Sequence, residues 1–154
     1  KNYKRCPANR ILVIYGKTSK EGGFRCLHGG AAFVWPLLQD YAWLSLEPRR
    51  ITVSARPLLK CDSTEYRAPQ IFSVAIGISE ELINTAAARL LGLDKREIDR
   101  HAEDIITSQL DRLVDLVQSG NVQLDPEQFH HELETTLEPK LNELGLTLIN
   151  FRRE

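Results

Sequence analysis

The fold of this chain is decided by the stretch Gly29–Gln39, GGAAFVWPLLQ, and by the apolar segment Tyr41–Glu47, YAWLSLE, that follows it. The paired glycines permit a tight turn, because a residue without Cβ adopts positive φ without strain. Ala32–Trp35 is typical of a strand, and Pro36 ends it because proline has no N–H for the ladder. We therefore predict a hairpin-like unit in which the strands Ala32–Trp35 and Tyr41–Glu47 concentrate a wide apolar surface.

Further strands are predicted on both sides of this unit, from β-branched runs and alternating apolar residues. They are Arg10–Tyr15, Phe24–His28, Ile51–Ala55, Ile71–Ile78 and Leu146–Phe151, with turns predicted at Lys17–Gly23 and Cys61–Glu65.

Two to three amphipathic helices are predicted between the long strand and the last one. Ser79 and Asp94 each precede a run with helical spacing and can accept a hydrogen bond from the first turn. Asp125–Gln128, DPEQ, combines an N-cap, proline at the first helical position and a capping box. Pro139 is predicted to kink or split the third helix, because it removes the bond to the Thr135 carbonyl. This order predicts an α+β fold with a mostly antiparallel sheet.

Composition indicates an ordinary globular chain. Its 154 residues, 42% hydrophobic and 27% charged, suit one domain or two small packed subdomains. The net charge of -1 gives no bulk electrostatic case for a nucleic-acid partner, although Lys1, Lys4, Arg5 and Arg10 make the start basic. No apolar run reaches the length that spans a bilayer.

Three segments together carry a family resemblance. The first is the predicted opening strand Cys6–Gly16, CPANRILVIYG. The second is the double glycine and the strand ending in Trp-Pro, which are followed by the segment LSLEP. The third is Phe129–Phe151, in which a helix is followed by the strand segment GLTLINF. In this order they resemble the flotillin branch of the SPFH (band 7, prohibitin-homology) family, from about Pro7 to Phe151.

The resemblance implies an SPFH domain with a mostly antiparallel β subdomain at 7–65 and an α/β subdomain with a returning strand at 66–154. Residues 1–6 are then expected to be a juxtamembrane flank, and an ordinary solvated terminus is the alternative. A chain without methionine is interpreted as a domain excised from between a membrane anchor and a coiled coil.

Two functions follow from the resemblance. The first is a non-enzymatic scaffold that forms homo-oligomers in its full-length form, contacts membrane lipids at the cytoplasmic face and organises microdomains. The alternative is a prohibitin-like regulator or holder of a membrane protease. The isolated domain is expected to be soluble.

The residue patterns predict no catalytic, metal or cofactor site. No phosphate-binding loop or nucleophile motif is present in the sequence. His130 and Glu134 are too few for a structural zinc site, and Cys26 and His28 are too far apart on a strand for a direct hydrogen bond. An enzyme with an unrecognised site stays open, and a pocket with strongly perturbed titratable groups would support it.

The aromatic unit carries the functional hypothesis. Phe33, Trp35, Pro36, Leu37 and Leu38 are candidate contacts with the membrane or with a neighbouring protomer, since Trp favours membrane–water interfaces. The alternative is that Phe33, Trp35 and Trp43 are the core of the β-rich subdomain.

The three cysteines, Cys6, Cys26 and Cys61, form no disulfide pattern and favour a reducing compartment, where they are expected to be small buried thiols. The resemblance also implies acylation of Cys6, because some flotillins carry an acyl chain at the matching position. A lipid beside basic residues would supply two membrane signals.

Overall fold

The chain forms ten β-strands and three α-helices within residues 2–16, 23–36 and 38–152, which the computed structural model describes. The strands are β1 (Tyr3–Arg5), β2 (Arg10–Gly16), β3 (Phe24–Leu27), β4 (Ala31–Phe33), β5 (Gln39–Ser45), β6 (Arg49–Thr52), β7 (Leu59–Cys61), β8 (Thr64–Tyr66), β9 (Ile71–Ile76) and β10 (Leu146–Arg152). The helices are α1 (Glu80–Leu90), α2 (Lys95–Gln118) and α3 (Pro126–Asn142). All strand pairs in the described residues are antiparallel, which confirms the predicted α+β class. The predicted turn at Lys17–Gly23 lies outside the described residues, except for Gly23.

The first sheet has the strand order β3-β2-β5, and a two-stranded ribbon of β1 and β4 lies against it. Strand β2 is buried on both faces. Ile11 and Val13 belong to the main core, whereas Leu12 and Ile14 form a second, smaller core with Ala32 of β4. A central strand of this kind needs cover on each face, so the chain places a layer on either side of it.

The predicted hairpin between Ala32–Trp35 and Tyr41–Glu47 is wrong. Strand β4 pairs with β1, opposite Tyr3–Arg5, and β5 pairs with β2 instead. The chain changes layer at a turn where the Leu38 and Gln39 N–H groups both donate to the Trp35 carbonyl, at 3.2 and 2.8 Å. Strand β5 is hydrogen-bonded to an edge of β2, whereas Ala32 of β4 packs over the face of β2 that is formed by Leu12 and Ile14.

The second sheet has the order β10-β9-β6 and packs against the helices. Its core includes Phe72 of β9, whose ring stacks on that of Phe151 with centroids 5.5 Å apart. Strand β6 lies before the predicted subdomain boundary at residue 65 but pairs with β9, so the chain enters this sheet early.

The predicted helix starts are confirmed by their caps. Ser79 accepts from the Leu82 N–H at 3.2 Å, and Asp94 accepts from the Glu97 N–H at 2.8 Å. The capping box of α3 is complete, because Asp125 and Gln128 each accept from the other's backbone N–H.

Pro139 does not split α3, which continues to Asn142. Proline removes one hydrogen bond near the end of the helix. Leu137 and Leu141 on either side of it are fully buried, and their packing keeps the last turn helical.

The predicted turn at Cys61–Glu65 is the centre of a short hairpin. Strands β7 and β8 flank Asp62, which has a φ of 54°, a conformation that Asp tolerates better than most residues. Tyr66 at the end of β8 donates its hydroxyl to the Leu124 carbonyl at 2.5 Å and so ties the hairpin to the start of α3.

Strand β10 is an outer strand whose free edge is partly covered by α3. The Glu138 carboxylate accepts from the Thr147 hydroxyl at 2.5 Å and from the Leu148 N–H at 3.1 Å. A register shift between Leu148 and Asn150 further interrupts this strand.

Candidate functional site

Within the described part of residues 1–46, the main exposed apolar feature is an aromatic surface on the ribbon of β1 and β4. Tyr3, Phe33, Trp35 and Leu38 are 67, 45, 60 and 70% exposed. We call these four residues the ribbon face. Phe33 and Trp35 meet edge to face with ring centroids 5.1 Å apart, so the aromatic surface is continuous there.

Strand alternation determines which side chains reach the ribbon face. Ala32 and Val34 point inward, onto the small core that includes Leu12 and Ile14. Their neighbour Phe33 therefore points outward. Tyr3 is the direct cross-strand partner of Phe33 and shares that side of the ribbon.

Hydrogen bonds hold the end of the ribbon in place. The Val34 N–H donates to the Asn2 carbonyl at 2.7 Å, which continues the ribbon beyond Phe33. The Trp35 N–H donates to Oε1 of Gln39 at 3.1 Å, and the Gln39 N–H returns a bond to the Trp35 carbonyl. Trp35 is thus an exposed side chain on a fixed backbone.

The predicted contact residues fall largely on this surface. Phe33, Trp35, Pro36 and Leu38 are exposed, so they are not the core of the first half. Leu37 lies outside the described residues. Their contact with a membrane or a protomer stays a prediction.

The structure separates Trp43 from the exposed aromatic residues and adds Tyr3 to them. Trp43 is half-buried, packs against the small core and contacts Tyr41 edge to face. Tyr3 was not predicted, because its place opposite Phe33 depends on a pairing between strands that are distant in sequence.

Cys6, the candidate acylation site, is buried. Its side chain is 5% exposed, and the thiol lies 3.2 Å from both the Arg10 and Leu27 carbonyls. An acylating enzyme could reach the sulfur only after the segment around Cys6 opened. Acylation therefore stays a prediction that requires local unfolding.

We expect the buried Cys6 to label differently from the half-buried Cys26 and Cys61. Burial raises the pKa of Cys26, and desolvation followed by the carboxylates of Asp62 and Asp125 raises the pKa of Cys61. A raised pKa leaves less thiolate at neutral pH, so iodoacetamide labelling of both should be slow near pH 7 and accelerate above about pH 9. Mass spectrometry should find Cys6 unlabelled at either pH. Denatured protein, labelled at all three positions, is the control, and rapid labelling of folded Cys6 would contradict the burial.

A cleft of about 310 Å³ lies between the two halves of the chain. It is lined by Trp43, Leu44, Ser45, Glu47, Pro48, Arg49, Leu93, Lys95 and Ile98. Arg49 is 9% exposed and donates to Asp99 at 3.0 Å and to the Lys95 carbonyl at 3.4 Å. Its polar bonds therefore connect β6 to α2, which is a structural role.

Two of the histidines have close neighbours in the structure. Nε2 of His28 lies 3.2 Å from the Ala8 carbonyl, and His130 stacks on Phe151 with ring centroids 4.0 Å apart. His130 also lies 3.7 Å from Glu134 on the exposed side of α3. Across the described residues, no group of three or more His, Cys, Asp and Glu side chains could hold a metal ion.

An exposed aromatic surface on a fixed ribbon, joined to a helix-covered sheet, is typical of a domain that works by surface contact. The chain belongs to the SPFH domain / Band 7 family, whose family model matches residues 4–152. Domains of this family are generally membrane-associated, non-enzymatic scaffolds. No curated protein matches the chain. Among the helices that the structure describes, none is both long enough and apolar enough to cross a membrane.

Proposed function

We propose that this chain is a flotillin-like scaffold domain that assembles, in its full-length form, at the cytoplasmic face of a membrane and organises a microdomain. The ribbon face is the observation that carries this proposal. In this proposal it is the surface that contacts lipid.

The composition of the ribbon face supports a membrane–water interface. Tyr and Trp combine an apolar ring with a polar group that stays hydrated, and they are enriched at that depth of the bilayer. Scattered exposed apolar residues are common on any protein. Phe33 and Trp35, however, are in direct contact, and Tyr3 pairs across from Phe33, so this is a clustered surface.

Trp35 gives a direct test of membrane contact. In a Trp43→Phe background its emission should shift to the blue when vesicles are added, because the exposed ring enters a less polar environment. Replacing Trp35 by serine should weaken vesicle partitioning by about tenfold, since burying a side chain of this size contributes roughly 1.5 kcal/mol or more. Sedimentation with vesicles measures the partition coefficient.

Ile78→Ser is the matched control, because Ile78 is 72% exposed but belongs to the second half of the chain. It should leave partitioning unchanged. If the emission did not shift to the blue and Trp35→Ser partitioned as strongly as the parent protein, the proposed membrane contact would be wrong. If Trp35→Ser instead abolished self-association without vesicles, the ribbon face would be a protomer contact.

Assembly is tested on the full-length protein in its native membrane. Electron microscopy should show a closed homo-oligomer, because head-to-tail contacts of one chain form a ring when the rotation closes. Co-purification with a membrane protease would favour the prohibitin-like alternative, in which the assembly holds or regulates that enzyme.

A further inference from the structure

The near-zero net charge of the chain conceals a strong separation of charge. Residues 1–46, which include β1–β5, contain seven Lys and Arg against two Asp and Glu, a formal charge of +5. Residues 47–154 contain 13 against 19, a formal charge of -6. The half that presents the ribbon face is therefore cationic, and the half that contains the helices is anionic.

One cationic side chain, Arg5, shares the side of the ribbon that carries the exposed aromatic residues, and two others lie on its opposite side. Arg5 is exposed and lies two residues from Tyr3 on β1, so it points to the same side of the ribbon. Lys4 points to the other side, where its Nζ lies 4.4 Å from the centre of the Tyr41 ring. Arg10 lies similarly over Trp43, at 4.5 Å.

The helical half presents the opposite charge to solvent. On α3 the side chains of Glu127, Glu132 and Glu134 are exposed, as is that of the C-cap residue Glu143, whereas Lys140 is the exposed Lys or Arg of that helix among the described residues. An anionic surface would repel this face and attract the ribbon.

From these observations we infer that the ribbon recognises anionic lipid headgroups, and that the charge separation fixes one orientation of the domain on the bilayer. This inference rests on the membrane contact proposed above and adds the class of lipid. Arg5 is the cation that contacts the headgroups, while the ribbon face enters the interface beside it. The helical half then points away from the bilayer.

Vesicle sedimentation with the same chain tests the lipid class. Partitioning onto vesicles with about 30% phosphatidylserine should exceed that onto pure phosphatidylcholine by fivefold or more at low salt, and high salt should remove the difference. Arg5→Glu should lower partitioning onto the anionic vesicles by about fivefold or more, since each basic residue near the surface contributes about that factor. Its partitioning onto phosphatidylcholine should not change.

Arg112→Glu is the matched control. Arg112 is exposed on α2, and its replacement makes the same change in total charge within the anionic half. Equal losses in Arg5→Glu and Arg112→Glu would overturn the assignment to the ribbon. Equal partitioning of the parent protein onto both kinds of vesicle would overturn the preference for anionic lipid but not the membrane contact. No partitioning onto either kind would overturn both the lipid preference and the membrane contact. Circular dichroism checks that Arg5→Glu is folded, and Arg5→Gln provides a milder second variant.

Discussion

Replacing Gly145 by alanine should lower the free energy of unfolding by about 3–5 kcal/mol, because two separate costs combine at this position. Gly145 has a φ of 78°, a conformation that residues with a Cβ rarely adopt. An added Cβ would also lie 2.4 Å from the backbone nitrogen of Ala86 and 2.5 Å from the Leu82 carbonyl oxygen. These are backbone atoms of α1, so the helix itself would have to move.

Gly120→Ala separates the two costs. Gly120 has nearly the same φ, 79°, but an added Cβ there meets no atom within 4 Å. Its alanine variant should lose only about 1–2 kcal/mol, from backbone strain. Urea unfolding followed by circular dichroism measures both values. Equal losses in the two variants would show that the approach of α1 to Gly145 is not as close as described.

Arg49→Met should cost about 2–3 kcal/mol of stability, because it removes one partner of a largely buried ion pair. The Arg49 side chain is 9% exposed, and its partner Asp99, 32% exposed, would lose a bond of 3.0 Å. Burial of Arg49 also lowers the stability of the fold, since its buried Nε has no hydrogen-bond partner in the structure. Replacing both partners should therefore cost less than replacing Arg49 alone, and Arg49→Met with Asp99→Leu should recover part of the stability.

The control for this pair is Lys60→Met. Lys60 and Glu65 lie 3.7 Å apart, with side chains 72 and 52% exposed. Water screens such a pair, so its loss should change stability by less than about 1 kcal/mol. If the single and double Arg49 variants lost equal amounts, Arg49 would act through packing and not through its charge.

Local signals in the sequence predicted local structure well. The caps at Ser79, Asp94 and Asp125 act through bonds to the next few residues, and all three helices begin where these residues place them. The predicted split at Pro139 is wrong for the same reason, because its local penalty is real but the burial of Leu137 and Leu141 outweighs it.

Contacts between residues that are distant in sequence could not be predicted from the sequence pattern. The apolar run at Ala32–Trp35 correctly predicted a strand, but nothing in it specifies Tyr3–Arg5 as the partner. That pairing decides whether Phe33 and Trp35 are core or surface, so the candidate site could be named but its exposure could not. The separation of charge between residues 1–46 and 47–154 was readable from composition. It becomes meaningful only once the strand order shows which residues share a sheet.

Glu138 has a consequence for a protein that is crowded beside copies of itself. Outer strands with unsatisfied backbone groups can template fibril growth by adding a strand from another molecule. Because its carboxylate already accepts the Leu148 N–H, the returning strand offers no such template at that point. A strand from another molecule would therefore lose one backbone hydrogen bond if it added at this position, which disfavours extension of the sheet between molecules there.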